Sequence, residues 1–240
     1  VQLKEIVISN LPSPYYHFEY DSAGRISLVS FASGLTSYDV TYDAGHIAQL
    51  RNNILVNHDR LVYVYDNAGR VASVQEIDDT GATFIHVILS YNGSKLIGLQ
   101  RERRLPGGGA FVINKTMSFA YDGDGNLRDL TDHYPAIAGF QDEQTFVDHF
   151  EQYDTGINVD AFDLIHNDFF DHLVLLPGVV LQKGNPRRQT RTGDADNLVL
   201  DYTYTYDGSN RPLAKSGVVT FTTGPNAGRQ FQVGSTFSYY

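Results

Sequence analysis

Two short clusters and one recurring pair carry the residue types in this chain that could do chemistry. His166, Asp168, Asp171 and His172 place two imidazoles and two carboxylates within seven residues, side chains that divalent metals accept as ligands. On a helix His166 and Asp168 would face apart, so the four would not converge as one set, and a solvated face on an acidic helix accounts for them. Asp194, Asp196 and Asn197 offer oxygens to calcium, but without the spacing and closing glutamate of a calcium loop. Pro106-Gly107-Gly108-Gly109 is followed by neither a helix nor Lys-Ser/Thr, so it reads as a hairpin tip and not as a phosphate loop. The basic groups Arg101-Glu102-Arg103-Arg104 and Arg187-Arg188 with Arg191 lie beside Gly/Pro segments and read as solvated loop ends. None of these is expected to be a catalytic, cofactor or metal site.

The recurring pair is Tyr-Asp. Six segments share it or a close variant: Tyr20-Asp21 with Gly24, Tyr42-Asp43 with Gly45, Tyr65-Asp66 with Gly69, Tyr91-Asn92 with Gly93, Tyr121-Asp122 with Gly125, and Tyr206-Asp207 with Asn210. A phenol beside a carboxylate resembles a general base and its partner. An active site is built once per domain, however, whereas a turn is built at every hairpin, so the six copies are expected to be scaffold. The aromatic residue two before the Tyr in four copies, as in Phe18/Tyr20 and Tyr204/Tyr206, puts the rings on one face of a strand, and Val40 and Leu89 take that place before Tyr42 and Tyr91. Asp or Asn then bonds to the backbone two residues on, Gly or Asn210 supplies positive φ, and an aliphatic residue begins the return strand.

These hairpins need neighbours. Residues 1–11 read as an opening strand, 82–91 and 111–121 as long strands, and 198–206, 218–221 and 237–240 as closing ones. Phe146, Val147 and Phe150 at helical spacing suggest a short helix over 142–153, and 161–176 suggests a second, closed by Pro177-Gly178. Residues 182–197 read as a loop. The expectation is one all-β domain over 1–240, an antiparallel up-and-down meander of about 12–14 strands curled into a barrel or strongly curved sheet. A short helical insertion near 140–176 would interrupt it.

Composition narrows the function. A net charge of -10 repels phosphate backbones, which disfavours nucleic acid as a partner. With 0 Cys there is no disulfide, thiolate nucleophile or Cys-bound zinc. The 28 acidic residues guarantee carboxylate pairs somewhere, which makes the choice of any one pair as catalytic arbitrary.

With its Tyr-Asp-x-x-Gly-Arg turns the chain resembles the YD-repeat (RHS-like) proteins of bacterial surfaces. It is more similar to a Bacteroidetes-type family of secreted lipoproteins of unknown function with a porin-like β fold. In that family a helical stretch and an Asn-Pro loop interrupt the meander late, before a terminal Tyr-x-Tyr-Asp hairpin. Here Tyr153-Asp154, Asn185-Pro186 and Tyr204-Thr205-Tyr206-Asp207 follow in that order. The sequence departs from the pattern at Asn210, where Gly is absent, and at Asn92, where Asp is absent. The resemblance implies an extracytoplasmic protein, on the outer-membrane surface or in the periplasm of a Gram-negative bacterium, tied to membrane only through an N-terminal lipid anchor. It supplies no catalytic residues. The expected role is a non-enzymatic binding or structural module for a glycan, peptide or protein. The alternatives are an integral outer-membrane barrel and a carboxylate-dependent glycan-active enzyme. A packed interior would remove small-molecule transport or storage.

Overall fold

The computed structural model describes residues 1–55, 58–105, 107, 109–166 and 172–240. Among them sixteen antiparallel strands follow one another in chain order and close as a barrel, with the last strand beside the first. The first eight are β1 (Leu3–Ile8), β2 (Tyr16–Tyr20), β3 (Ile26–Phe31), β4 (Thr36–Asp43), β5 (His46–Asn52), β6 (Arg60–Tyr65), β7 (Val71–Ile77) and β8 (Thr83–Asn92). The rest are β9 (Lys95–Arg104), β10 (Phe111–Tyr121), β11 (Leu127–Tyr134), β12 (Gln144–Tyr153), β13 (Pro186–Gly193), β14 (Leu198–Tyr206), β15 (Pro212–Phe221) and β16 (Gln230–Tyr239). The all-β meander agrees with the sequence, and of the two forms left open there, barrel and curved sheet, it takes the barrel. The strand number is higher than expected, and the helical insertion is absent among the described residues.

Both differences come from the same stretch. The helix expected over 142–153 is strand β12, hydrogen-bonded to β11 and β13. Phe146 and Phe150 are four residues apart, a spacing that serves a helix turn and a two-residue repeat equally well. Residues 182–197, expected as a loop, contain β13. The helix expected over 161–176 reduces to one 3-10 turn, Ala161–Leu164, and residues 172–176 are irregular. Phe169 and Phe170, which supported that helix, lie outside the described residues.

The chain divides into two compact units, Val1–Ile88 with Ser235–Tyr240, and Leu89–Gly234. The first packs large side chains inward. Ile6, Tyr16, Val29, Phe31, Tyr38 and Leu50 are all buried, and Tyr16 meets Phe31 edge-on at 5.9 Å. Each such side chain contributes roughly 1.5–3 kcal/mol by leaving water. The second unit is built differently. Along β14, Leu198, Leu200, Tyr202, Tyr204 and Tyr206 alternate with Val199, Asp201, Thr203 and Thr205, as a strand with one inner face must. Yet Leu198, Leu200 and Tyr202 stay only half-buried, because they border open space.

Candidate functional site

The repeat residues form scaffold contacts. Asp21 Oδ1 accepts the Ala23 and Arg25 backbone N–H groups, both at 2.9 Å, and Arg25 Nε donates to Oδ2 at 2.8 Å. Asp66 does the same with Ala68 and Arg70, and Asp207 with Ser209 and Arg211. Asp122 accepts from the Asp124 and Asn126 backbones. Gly24, Gly69, Gly125 and Asn210 sit at φ 75, 74, 87 and 63, the left-handed conformation that the turn requires. Asp78, which follows Ile77 where the pattern has Tyr, makes the same turn with Thr80 and Ala82. The preceding aromatic is therefore dispensable to the turn, and searching for Tyr-Asp misses this copy.

The copies at Tyr42 and Tyr91 differ. Asp43 lies within β4 opposite His46, and Ala44 and Gly45 both have positive φ, a two-residue turn of type I′. Asn92 ends β8, and Gly93 at φ 60 begins a similarly tight connection to Lys95.

The tyrosines do another task. Tyr20, Tyr42, Tyr65 and Tyr121 donate their hydroxyls to the backbone oxygens of Leu3, Ile26, Ile47 and Leu96, at 2.8 to 3.0 Å. Tyr153 donates likewise to Leu127. Each bond reaches the preceding strand at the end where no turn joins the two. Tyr206 instead donates to Asp154 Oδ2 and accepts from the fully buried Asn185 amide at 3.1 Å, which fastens both ends of the segment between β12 and β13.

The remaining clusters disperse. His166 and His172 have ring centroids 5.7 Å apart, while Asp168 and Asp171 lie outside the described residues. Asp194 accepts the Thr145 backbone N–H, Asp196 the Asn226 amide and Asn197 the Gly193 N–H, three separate partners. Among the described residues no group of three or more His, Asp or Glu gathers as a metal site. Gly107 lies between β9 and β10 at φ 93, with Pro106 and Gly108 outside the described residues. The basic groups lie within strands, with only Arg104 and Arg187 exposed at strand ends as expected. Arg101 is buried in β9 and donates to Asn114 Oδ1 at 3.1 Å, and Arg191 lies in β13.

Arg191 leads to the candidate site, a cavity of about 1060 Å³ inside the second unit. Its wall is the inner face of β10 to β16. The polar part runs as one chain of bonds. Arg191 donates from Nε and Nη2 to the two oxygens of Asp148, at 2.9 and 2.6 Å. Gln189 donates to Asp148 Oδ1 at 2.9 Å and accepts from the Tyr202 hydroxyl at 3.2 Å. Beyond it Lys215 Nζ meets Asp160, at the edge of the 3-10 turn, at 3.1 Å and lies 4.6 Å from the Tyr202 ring centre. Lys115 stands 3.8 Å from Asp132. Phe146, Phe150, Tyr134, Phe221 and Phe231 supply apolar surface between these groups.

Electrostatics fix the charge states. Burial alone would lower the Lys215 ammonium, but Asp160 and the Tyr204 and Tyr202 hydroxyls more than reverse this and hold it above its ordinary value. Burial likewise works against Arg191, and the hydrogen bonds and charge of Asp148 outweigh it, so the guanidinium stays charged. Burial pushes the Tyr202 hydroxyl up. Nothing in the sequence marks Gln189 and Lys215, and Arg191 reads there as a solvated loop end, because β13 is polar on both faces and Lys215 stands in the polar first half of β15. The one available signal was the run Tyr202-Thr203-Tyr204-Thr205-Tyr206, whose rings mark an inner face.

Strand order and cavity together define an up-and-down antiparallel β-barrel with a polar recess. No family model matches the chain, and no curated protein does. Solved structures match it along its whole length. A porin-like protein from Bacteroides uniformis is 15% identical with a TM-score of 0.62, covering 100% of this chain and 95% of its own. A porin-like protein from Bacteroides vulgatus is 11% identical with a TM-score of 0.65, covering 100% of this chain and 99% of its own. At these identities the likeness shows a shared fold.

Proposed function

We propose that the chain is a non-catalytic, extracytoplasmic binding module that holds a polar ligand in the cavity of its second unit. The observation that carries this reading is the preformed network Tyr202–Gln189–Asp148–Arg191 facing a space of ligand size. Binding sites are concave, partly apolar and set with a few fixed polar groups. Neither Asp148 nor Asp160 is left to act as acid or base, since each is held by a cation.

An embedded barrel is the second reading, and the shared fold with porin-like proteins of a Gram-negative genus keeps it in view. Against it stands the outer wall. Opposite the cavity-facing side chains, His149 lies 2.6 Å from Asp129 and Arg188 bridges Asp201 at 2.9 Å and Glu151 at 3.5 Å. In the first unit His17 sits between Glu5 and Glu19, opposite the buried Tyr16 and Phe18. Charge on a lipid-facing strand costs about 2–4 kcal/mol per Arg or Lys at mid-bilayer.

The test is purification without detergent, followed by thermal unfolding of the chain with panels of soluble oligosaccharides and short peptides. A monodisperse protein whose midpoint rises with some panel member, and not when Leu200→Trp narrows the cavity, is the expected result. A chain that stays soluble only in detergent, or a midpoint shift that survives L200W, would overturn the proposal.

A further inference from the structure

We infer that the cavity ligand is an uncharged oligosaccharide; this rests on the binding reading above and names its substrate class. The argument begins with what the wall can still offer once its internal bonds are made. Arg191, Lys215 and Lys115 each face a carboxylate, Asp148, Asp160 and Asp132 respectively, at 2.6, 3.1 and 3.8 Å. Asp163 and Asp196 also line the space, so the wall carries more carboxylates than cations. Among the described residues an acidic ligand therefore meets Lys and Arg side chains that already face carboxylates, and an excess of like charge, which disfavours binding it.

Hydrogen-bonding capacity remains nonetheless. A guanidinium has five N–H donors, and Asp148 engages two of them. Gln189 uses one amide hydrogen and one lone pair of its oxygen, leaving one of each. Donors and acceptors thus alternate along a fixed row. A hydroxyl, which donates and accepts at once, is the group that such a row satisfies repeatedly.

Rings flank the row. Tyr202 stands at one end, and Tyr134 and Phe146 form an edge-on pair with centres 6.2 Å apart. Phe221 and the half-exposed Phe231, 5.9 Å apart, continue the apolar surface. Pyranose rings present C–H faces to aromatics and hydroxyls at the rim, so they match both components of this wall. A lipid would leave the remaining donors and acceptors of the row unmatched, at about 1–3 kcal/mol per buried group. The volume of about 1060 Å³ slightly exceeds the range of about 300–1,000 Å³ for small-molecule sites, which suits several linked sugars better than one.

Isothermal titration of the whole chain decides this, with neutral gluco-, manno- and xylo-oligosaccharides, oligogalacturonides as the acidic counterpart, and short neutral peptides as probes. A neutral oligosaccharide should bind at least about tenfold more tightly than the acidic series, and Gln189→Ala should weaken it by about tenfold. Leu213→Ala, on the exposed side of β15, should leave binding unchanged. The selectivity of the unmodified chain needs no variant to fold. Oligogalacturonides binding as well as neutral sugars would overturn the inference. Peptide binding abolished by L200W, with no sugar bound, would overturn it while leaving the binding reading intact. No binding by any probe would remove both.

Discussion

The Tyr42 hydroxyl donates to the Ile26 carbonyl oxygen at 2.8 Å, and the Arg25 guanidinium lies over the Tyr42 ring at 4.4 Å. Two consecutive residues of one turn therefore grip the tyrosine of the next. The grip recurs where His46 packs on Tyr65 at 4.6 Å while Tyr65 bonds Ile47, and where Lys95 sits 4.9 Å from Tyr121 while Tyr121 bonds Leu96. The repeat is a device for joining neighbouring hairpins where no turn connects their strands.

This predicts that Tyr65→Phe keeps the fold and loses one bond. The Ile47 carbonyl would lose its tyrosine partner, for a destabilisation of about 0.5–1.5 kcal/mol. Urea unfolding checks it, and an unchanged midpoint would show that the hydroxyl does not join strands.

The turn carboxylates give an acid limb. Backbone and side-chain hydrogen bonds from Arg25, Arg70 and Arg211 hold Asp21, Asp66 and Asp207 below the usual carboxylate range, and bonds from Thr80 and Ala82 do so for Asp78. A carboxyl lowered on folding stabilises fully above its unfolded pKa, near 4, and loses that contribution as pH falls through the folded value. Stability should therefore be level in neutral solution and decline below about pH 4. Asp66→Ala should flatten that decline measurably, while Asp66→Asn should cost less at neutral pH by keeping a backbone acceptor. Melting curves across acidic pH, with parallel slopes for D66A and the parent chain, would refute the assignment.

The alkaline limb has the opposite sign. Burial raises Tyr121 to about 12 and lifts Tyr38, Tyr63, Tyr153 and Tyr204 as well. Above pH ~10 the unfolded chain releases phenolic protons that the folded one retains, so stability falls as pH rises. Spectrophotometric titration should show a fraction of the 16 tyrosines ionising only as the protein unfolds. Complete ionisation with native circular dichroism would contradict this.

How much of this was legible in the sequence depended on whether side-chain type alone decides the local structure. Asp66-Asn67-Ala68-Gly69-Arg70 names its own turn, since the carboxylate, the positive-φ residue and the arginine all act within five positions. Asp43-Ala44-Gly45 brings its glycine one position earlier and has His46 in place of the arginine, and the missing residue changes the turn to the two-residue type. Strand β13 was invisible because Arg188 and Thr190 face outward while Gln189 and Arg191 face a polar cavity, so no apolar alternation exists to read. The pairing of Asp148 with Arg191 spans 43 positions. It depends on strand order and register, which no local pattern records.

That same pair supplies a further prediction. Asp148 is 2% exposed, so deleting its partner leaves a buried carboxylate with Gln189 alone. Arg191→Met should destabilise by about 3 kcal/mol, the lower end for a broken buried pair, because Arg191 itself keeps some solvent contact. Asp148→Asn added to R191M removes the stranded charge and should recover a large part of the loss. Denaturation of the two single variants and the double variant gives the coupling directly. Strict additivity would mean that the two side chains, though in contact, do not depend on each other.

Gly184 tests how the segment between β12 and β13 is anchored. A Cβ there would overlap the Asp154 carbonyl oxygen, a backbone atom that cannot swing aside. Asp154 also accepts the Gly156 and Asn185 backbone N–H groups at 2.9 and 3.1 Å, and holds Tyr206. Gly184→Ala should therefore loosen the anchor and, with it, Asp160 and Gln182, which border the cavity. Limited proteolysis should then cut between 154 and 185 much faster than in the parent chain, and ligand affinity should fall alongside. Gly208→Ala, at a position with open space around its Cβ, should do neither. If G184A proves as resistant as G208A, the close approach of Gly184 to Asp154 is not what holds the segment against the wall.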